Sequence, residues 1–553
     1  MTITDPSDAP SYRPDPVSPA LLASLPDGVD AGVHSALARG DVGEALRRAV
    51  DTGDLDLAVD VLRIGWFDLL RDENRSRNRR KLETLSSAQL MNHPLLAMAL
   101  GLLFNGDGLR RSKAAYYFGL AATGVRAHPE RTSPVQRALV LASESAALRL
   151  LGRTSVSAAS ARAALRALDA IHEERKSLIG YLPRVYSQLG TSLFYGGHAT
   201  EALHAFARGY AEAGTEDRSS FGNVAMAAGV HALQGNLTDA RELVTIARGE
   251  PWTDEQRRMY VGTFYRIAEA VLALEQFDTT AARAHLDAMV HDRRSIEHWA
   301  VIVQVESLVS IVDGDPAAGL AFLEEYAALR GPESETRSNR HRLASSRSLL
   351  HIALGNYDAA EWVLRVDAGK RPQDHVDRAR LMLATNRVGE ALREVRTTAG
   401  RSQSIRTALE ALTIEAAVGL RTGMDRRTET VLRQVAATMR RTGQRLAPRL
   451  LPPADARAVI EALRTTGAAD LASECGPSLL AEPDLPELTD RELAVLEALS
   501  RTSATSDIAA ELFVSVNTVK THRKSVYRKL GARTREEALA VAFHRHLIST
   551  HRR

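Results

Sequence analysis

The chain has 553 residues, of which 44% are hydrophobic, 5% aromatic and 25% charged, and its formal net charge is only +3. This balance excludes a protein that binds nucleic acid along its whole length, so any contact with DNA should be confined to a local basic segment. The single cysteine, Cys475, excludes an internal disulfide and a cysteine-rich zinc site, which suits a reducing compartment.

The first 27 residues contain six prolines, at positions 6, 10, 14, 16, 19 and 26. We therefore predict that residues 1–27 are disordered. Neither end has the pattern of a signal peptide, and the longest apolar run, residues 95–104, is too short to cross a bilayer. These features predict a cytoplasmic protein that does not contact a membrane.

Residues 28–466 repeat a short phrase in which small turn residues precede an apolar or aromatic residue and an alanine at the head of a helix. Clear copies start at Gly197, Gly235, Gly314 and Gly355, and weaker copies start at Glu275 and Asn386. The intervals from residue 197 onward are 38, 40, 39, 41 and 31 residues. A period near 40 with a tight turn between two amphipathic helices is typical of a helical solenoid.

The repeat phrase resembles that of tetratricopeptide repeats, although these units are longer and lack the Trp of the strict pattern. The predicted fold class is therefore all-α, with a TPR-like solenoid over residues 28–466 whose concave face binds a peptide, a protein or a small ligand. An irregular all-helical domain is the alternative. Residues 467–485 include Gly476, Pro477 and Pro483 and are predicted to be the linker to a C-terminal domain at 486–550.

Capping patterns predict four helices in the C-terminal domain, over roughly 489–500, 506–512, 515–530 and 534–547. Thr489 with Glu492, and Thr534 with Glu537, have the spacing of capping boxes. Ser506 and Ser515 are predicted N-caps, and Gly531 a C-cap.

The third of these helices has two different faces. Val519, Val526 and Leu530 recur at helical spacing and are expected to face the core. A second stripe is polar or cationic and consists of Asn517, Lys520, Thr521, Lys524 and Arg528. Residues 513–535 contain seven Lys or Arg and no acid, whereas residues 484–511 contain seven acids and two bases. This polarity predicts binding to double-stranded DNA through a helix-turn-helix, with Thr518 and Asn517 in the first turn of the recognition helix.

Residues 486–548 contain four short motifs: Leu488-Thr-x-Arg-Glu-x-x-Val-Leu496, Ile508-Ala-x-x-Leu512, Ser515-x-Asn-Thr-Val-Lys-x-His522 and Lys529-Leu-Gly531. With these motifs the segment resembles the four-helix DNA-binding domain of the LuxR family of bacterial transcription regulators, closest to its large, MalT-like branch. The resemblance implies that Lys520, Thr521 and Lys524 enter the major groove. It also implies that Asn517, Thr518 and Arg528 lie near the backbone, and that the helix from Thr534 onward mediates dimerisation.

Two positions depart from the family pattern. The family usually has Gly in the turn after the first helix, where this chain has Thr502, and an apolar residue where this chain has Arg523. We expect Arg523 to extend to solvent or to a DNA phosphate, with weaker helix packing as the alternative.

The sequence lacks recognisable motifs for nucleotide binding, metal binding or catalysis. The sequence has no Gly-x4-Gly-Lys-Ser/Thr phosphate loop, so it resembles the sensor and DNA-binding parts of the large branch without its ATPase. The 17 histidines show no metal-ligand spacing, and no catalytic arrangement is evident, so we expect no cofactor, no metal and no enzymatic activity.

The leading hypothesis is a sequence-specific transcription regulator. It would bind double-stranded DNA as a homodimer and receive an unknown small-molecule or protein effector on its solenoid. One alternative is an interaction scaffold that tethers a partner to DNA without sequence preference. Another is an unrecognised enzyme with its substrate in the concave groove.

Overall fold

The computed structural model describes residues 22, 25, 29–69, 75–105, 111–127, 132–171, 182–213, 218–289, 296–398, 404–481, 488–530, 532–544 and 547–548. Every regular element in these residues is helical, and no strand occurs among them. The predicted all-α fold class is confirmed. The chain divides into two compact units, the first comprising residues 1–230 and 243–265 and the second residues 231–242 and 266–553.

The first unit is built from consecutive helices that pack against their neighbours in sequence. Its helices are α1 (Ala31–Ala38), α2 (Val42–Asp51), α3 (Leu55–Leu69), α4 (Arg75–Leu82), α5 (Ser87–Asn92), α6 (Pro94–Asn105), α7 (Arg111–Ala127), α8 (Pro134–Leu150), α9 (Thr154–Asp169), α10 (Leu182–Tyr195) and α11 (Ala199–Ala211). The next four helices are α12 (Phe221–Gln234), α13 (Leu237–Arg248), α14 (Asp254–Arg258) and α15 (Thr263–Leu274). The division between the units falls within α12, α13 and α15.

The second unit continues the helical pairs and ends in a small helical domain. Its repeat helices are α16 (Thr279–Asp287), α17 (Trp299–Val312), α18 (Pro316–Arg330), α19 (Arg337–Ala353), α20 (Tyr357–Val366), α21 (Pro372–Ala384), α22 (Val388–Thr398), α23 (Ile405–Thr422), α24 (Arg426–Thr442), α25 (Leu446–Arg449), α26 (Pro453–Thr465) and α27 (Ala469–Glu474). The C-terminal helices are α28 (Asp490–Arg501), α29 (Thr505–Glu511), α30 (Val516–Leu530) and α31 (Arg535–His544).

The repeat phrase lies at the turns between paired helices, as predicted. The glycines of the four clear copies have φ between +75° and +87°, and they are Gly197, Gly235, Gly314 and Gly355. Glycine adopts this left-handed region without a steric penalty, which ends one helix and starts the next. In the two weaker copies the left-handed residue is Phe277 (φ 61°) or Asn386 (φ 59°).

Helices α23 and α24 show how one repeat is built. Asp425 Oδ1 accepts the Thr428 amide at 2.7 Å and caps the start of α24. A Cβ at Gly419 would lie 2.3 Å from Thr428 Oγ1, so glycine lets the two helices approach closely. The buried residues of α24 recur at helical spacing and are Thr428, Val431, Leu432, Val435, Ala436, Met439 and Thr442. Burial of this stripe against α23 and its neighbours holds the repeat in the array.

A buried glutamate joins two parts of the second unit that are distant in sequence. Glu275 has a fully buried side chain, and its Oε1 accepts a hydrogen bond from the Arg406 guanidinium at 2.6 Å. Its Oε2 accepts the amides of Arg445 and Leu446 at 2.6 and 3.0 Å. Gln444 Nε2 adds a bond to the Gly235 carbonyl at 3.2 Å. Later repeats of this unit therefore return to contact its earliest residues.

A second buried cluster contains one cation and two carboxylates. Arg380 has 2% of its side chain exposed and donates to Asp377 at 3.1 Å and to Glu410 at 2.5 Å. Its Nε donates to the Leu450 carbonyl at 3.1 Å. Burial raises the pKa of Asp377 to about 6, although the nearby Arg380 charge opposes that rise. The cluster links α21 to α23 and, through the Leu450 carbonyl, to the end of α25.

The segment predicted as a linker, 467–485, differs from the expectation as far as residue 481. Residues 469–474 form α27, and Leu471 and Ala472 are buried in the repeat core. The Leu479 amide then donates to the Arg449 carbonyl at 2.8 Å, and the Ala481 amide donates to the Ala353 carbonyl at 3.2 Å. Apolar residues between the turn residues drive this packing, and glycine and proline alone do not prevent it. Residues 482–485 lie outside the described residues.

Two further predictions concern the N-terminal segment and membrane-spanning helices. The predicted disordered segment, 1–27, lies outside the described residues apart from residues 22 and 25. No helix in the described part of the chain is both long enough and apolar enough to span a membrane.

Candidate nucleic-acid interface

The C-terminal domain begins with the predicted capping box. The Glu492 amide donates to Thr489 Oγ1 at 3.3 Å, and the Thr489 amide donates to Glu492 Oε2 at 2.8 Å. The same oxygen accepts Lys529 Nζ at 2.7 Å, which ties the start of α28 to α30. Burial alone would raise the pKa of Glu492, but hydrogen bonds from Lys529, Ser525 and Thr489 outweigh it and lower the pKa to about 2.

The turn between α28 and α29 explains why Thr502 is tolerated where the family usually has glycine. Thr502 has φ −140° and ψ 151°, an extended conformation that any residue adopts. Its Oγ1 accepts the Ala504 amide at 3.2 Å. The predicted N-cap at Ser506 is wrong: α29 starts at Thr505, and Ser506 Oγ donates to Asp507 at 3.2 Å. The turn that Thr502 stabilises is followed directly by the helix, which therefore starts before Ser506.

The turn between α29 and α30 places the recognition helix. Phe513 has φ 55°, and the Thr518 amide then donates to Ser515 Oγ at 3.1 Å, which confirms the predicted cap at Ser515. The inward face of α30 is also confirmed, because its buried residues are Val519, Val526 and Leu530. Ile508 and Ala509 of α29 pack with Val519 in one core cluster.

The outward face of α30 contains most of the predicted DNA-binding residues. Five of them are exposed and share this face: Asn517, Lys520, Thr521, Lys524 and Arg528. Thr518 is half-buried, and its hydroxyl lies 2.8 Å from Ser515 Oγ at the cap. Thr521 Oγ1 donates to the Asn517 carbonyl at 3.0 Å, which orients that hydroxyl along the helix.

The cations of this face differ from two other cations of the same domain, Arg501 and Lys529. Among the described residues, no carboxylate forms an ion pair with Lys520, Lys524 or Arg528. By contrast, Arg501 pairs with Glu511, and Lys529 pairs with Glu492. Three exposed cations without a carboxylate partner in the described part of the chain make this surface attractive to phosphate, because counterions held there are released when a polyanion binds.

Arg523, the second departure from the family pattern, faces the preceding helix. Its side chain is half-buried, and its guanidinium lies 3.4 Å from Thr505 Oγ1. The long side chain covers the α29–α30 junction and keeps its charged end near the surface. The expected extension toward solvent is partly realised, because the side chain is only half-buried.

The last helix is shorter than predicted. It covers Arg535–His544, and the Glu537 amide donates to Thr534 Oγ1 at 3.1 Å, as expected. The Glu537 carboxylate accepts the Arg533 amide at 2.7 Å, so the cap is not the reciprocal box that was predicted. The buried residues of α31, Ala538 and Ala542, pack with Leu496 and Val526. Gly531, the predicted C-cap, lies outside the described residues.

The first unit has an open cavity of about 400 Å³ between α7, α8 and α9. Its lining combines aliphatic residues with two arginines and a serine: Val125, Arg126, Arg137, Leu141, Val156, Ala159, Ser160 and Ala163. Arg126 and Ser160 both donate to the nearby carboxylate of Glu144, at 3.0 and 2.7 Å. The cavity has room for a small molecule with apolar and polar parts.

The C-terminal domain matches a known family. Residues 486–542 match the model described as bacterial regulatory proteins, luxR family. Two curated proteins resemble this region: the transcriptional regulatory protein YdfI of Bacillus subtilis (38% identical over 63 residues, covering 11% of this chain and 30% of that protein) and the probable transcriptional regulatory protein NarL of Mycobacterium tuberculosis (41% over 68 residues, covering 12% and 32%).

A third similarity extends beyond the C-terminal domain. The HTH-type transcriptional regulator MalT of Cronobacter sakazakii is 28% identical over 286 residues, which cover 48% of this chain and 30% of that protein. The chain thus spans about a third of the length of the curated relatives it matches. A chain in the crystal structure of the APC/C hetero-tetramer Cut9–Hcn1 has a TM-score of 0.48 and 12% identity, covering 95% of this chain and 96% of that one.

Proposed function

We propose that this chain, which carries a LuxR-type helix-turn-helix domain over residues 486–542, is a sequence-specific DNA-binding regulator of transcription. The observation that carries the proposal is the outward face of α30, where exposed polar and cationic residues lie together and the cations lack ion-pair partners among the described residues.

The side chains of this face suit different parts of a duplex. Lys520 and Lys524 lie one turn apart, where their ammonium groups match the O6 and N7 acceptors of guanine in the major groove. Thr521 offers a hydroxyl and a methyl group, and the methyl suits contact with thymine. Asn517 and Arg528 lie nearer the ends of the helix and suit phosphate contacts, which position the protein without reading sequence.

Selection of binding sites from random DNA with the full-length chain tests the proposal. We expect an enriched motif, and we expect Lys520→Ala to weaken binding to that motif by about 1–3 kcal/mol while relaxing the preference at one base position. The matched control is Arg501→Ala, since Arg501 is an exposed cation of the same domain that already pairs with Glu511. If no motif is enriched, or if the Lys520 variant binds as well as the wild type, the proposal fails.

The rival function is an interaction scaffold that the domain tethers to DNA without sequence preference. It predicts affinity that is equal for all sequences and that falls steeply with salt. Comparing the affinity for the selected motif with the affinity for shuffled DNA at two salt concentrations separates the two functions. The proposal requires that the preference for the motif persist at the higher salt concentration.

Binding as a dimer is part of the proposal. Two domains related by twofold symmetry would read half-sites about 10 base pairs apart. We assign the contact to α31, on the resemblance to the LuxR family, and we place the protein in the cytoplasm, where chromosomal DNA is available. Light scattering of the chain with and without its operator tests the dimer.

The repeat region is proposed as the sensor. For a protein effector, paired helices supply an extended surface. For a small effector, the cavity beside Arg126 and Arg137 is the candidate site. An effector that acts in this way must change operator affinity, so titration of a candidate compound into the protein–operator complex gives the test.

A further inference from the structure

The turn between α29 and α30 contains an aromatic residue in a conformation that phenylalanine rarely adopts. Phe513 has φ 55°, in the left-handed region that favours glycine, asparagine and aspartate. Its side chain is 96% exposed. The fold therefore holds a strained backbone there and leaves a large apolar ring in water.

Two other non-glycine residues in the described part of the same unit share this conformation, and both have partners. Phe277 is half-buried, and the Arg449 guanidinium lies 4.1 Å from the centre of its ring. Asn386 accepts a hydrogen bond from Arg421 at 3.0 Å. Contacts within the protein thus account for the side chains at these two turns, and they do not account for the ring of Phe513.

The position of Phe513 indicates what covers the ring. It lies three residues before Val516, which is 41% exposed, and four before Asn517 at the start of the outward face of α30. Phe513 and Val516 therefore form an exposed apolar patch beside the surface that carries Lys520 and Lys524. A helix that enters the major groove brings its preceding turn to the edge of the groove, where deoxyribose rings and thymine methyl groups expose apolar surface.

We propose that Phe513 is a DNA-contacting residue whose ring packs on the apolar surface of deoxyribose or a thymine methyl at the groove edge. The inference rests on the proposed function and names a contact outside the recognition helix. Continuity with the cationic face favours DNA over a protein partner as the occupant, because a duplex bound at the face of Lys520 and Lys524 brings its sugars to the same edge.

The test compares Phe513→Asn with the wild-type full-length chain on the selected operator. Asparagine keeps the left-handed turn and removes the ring. We expect operator affinity to fall roughly tenfold, as for loss of one buried aromatic contact. The slope of log affinity against log salt should not change, since no counterion is released by an apolar contact. The melting temperature should not fall, because the ring makes almost no contact in the free protein.

Three further variants make the test decisive. Phe513→Gly should reproduce the loss, and Phe513→Trp should retain affinity within about twofold because it keeps an aromatic surface. Asn386→Gly, at the matched left-handed turn of the repeats, should leave operator affinity unchanged. Wild-type affinity in Phe513→Asn on an operator that the wild type binds would overturn this inference alone. Failure of the wild type to select any operator would instead refute the proposed function.

Discussion

Arg380 in the repeat region and Lys524 in the C-terminal domain carry the same charge in opposite surroundings. Arg380 has 2% of its side chain exposed and donates to Asp377 and Glu410. Lys524 is exposed and has no carboxylate partner among the described residues. Removing a paired, buried cation leaves buried carboxylate charges without a counter-charge and lowers the free energy of unfolding strongly. Removing an exposed, unpaired cation changes the free energy of unfolding little. Pairing therefore distinguishes cations that hold the fold from cations left available for a polyanion.

The largest effect is expected at the buried cluster. Arg380→Met should destabilise the second unit by about 3–5 kcal/mol, because Asp377 and Glu410 would remain buried without a cation. Scanning calorimetry and urea unfolding give the measurement. The matched control is Arg427→Met, which breaks the exposed pair with Glu415 and should cost less than about 1 kcal/mol.

The triple variant with Arg380→Met, Asp377→Asn and Glu410→Gln sharpens this comparison. We expect it to recover much of the loss, because no uncompensated charge remains. Equal destabilisation by Arg380→Met and Arg427→Met would contradict the distinction between structural and available cations.

An intermediate effect is expected at Glu492, where a cation of the DNA-binding domain is paired. Glu492→Gln should lower the stability of this domain by about 1–2 kcal/mol at neutral pH, since glutamine keeps the cap but loses the charged bond to Lys529. Because the folded pKa is about 2 and the usual value 4.5, wild-type stability from this group is complete above pH 4.5 and is lost as pH falls toward 2.

Hydrogen exchange of the α30 amides, corrected for intrinsic rates, measures that pH dependence. Between pH 5 and 3.5 the wild type should lose protection while Glu492→Gln changes less. Glu511→Gln, which affects the exposed pair with Arg501, serves as the control and should follow the wild type. A Glu492→Gln profile parallel to the wild type would show that the carboxylate is not the titrating group.

The smallest effect is expected from adjacent residues on α30. Arg528→Ala should weaken binding nearly equally for all DNA sequences and reduce the salt slope by about 1, as for loss of one phosphate contact. Lys529→Met should leave the salt slope unchanged, since Lys529 is paired with Glu492 in the folded protein. Titrations at several salt concentrations compare the two. If the slope of log affinity against log salt is the same for Arg528→Ala and the wild type, Arg528 does not contact a phosphate.

Prediction from sequence succeeded where the deciding contacts are local. The capping box at Thr489, the cap at Ser515 and the buried stripe of α30 depend on residues three to seven apart. The left-handed turns of the four clear repeat copies follow from glycine itself. The cap at Ser506 was predicted wrongly although it is also local, because the Thr502 hydroxyl bonds the Ala504 amide and the helix starts one residue earlier.

Other features were decided by the tertiary structure. Residues 467–481 have the composition of a linker, yet they pack on the repeats because Leu471 and Leu480 find buried sites there. Glu275 reads as an ordinary charged residue, and only the return of later repeats places Arg406 and two amides around it.

The sequence by itself determined the all-α class, the repeat turns and the outward face of α30, since helix periodicity and capping act over a few residues. The tertiary structure decided which charges are paired and which are free, because ion pairs such as Glu275–Arg406 join residues 131 positions apart. It also showed that the ring of Phe513 is uncovered. Exposure depends on every neighbouring element, and no local pattern contains that information.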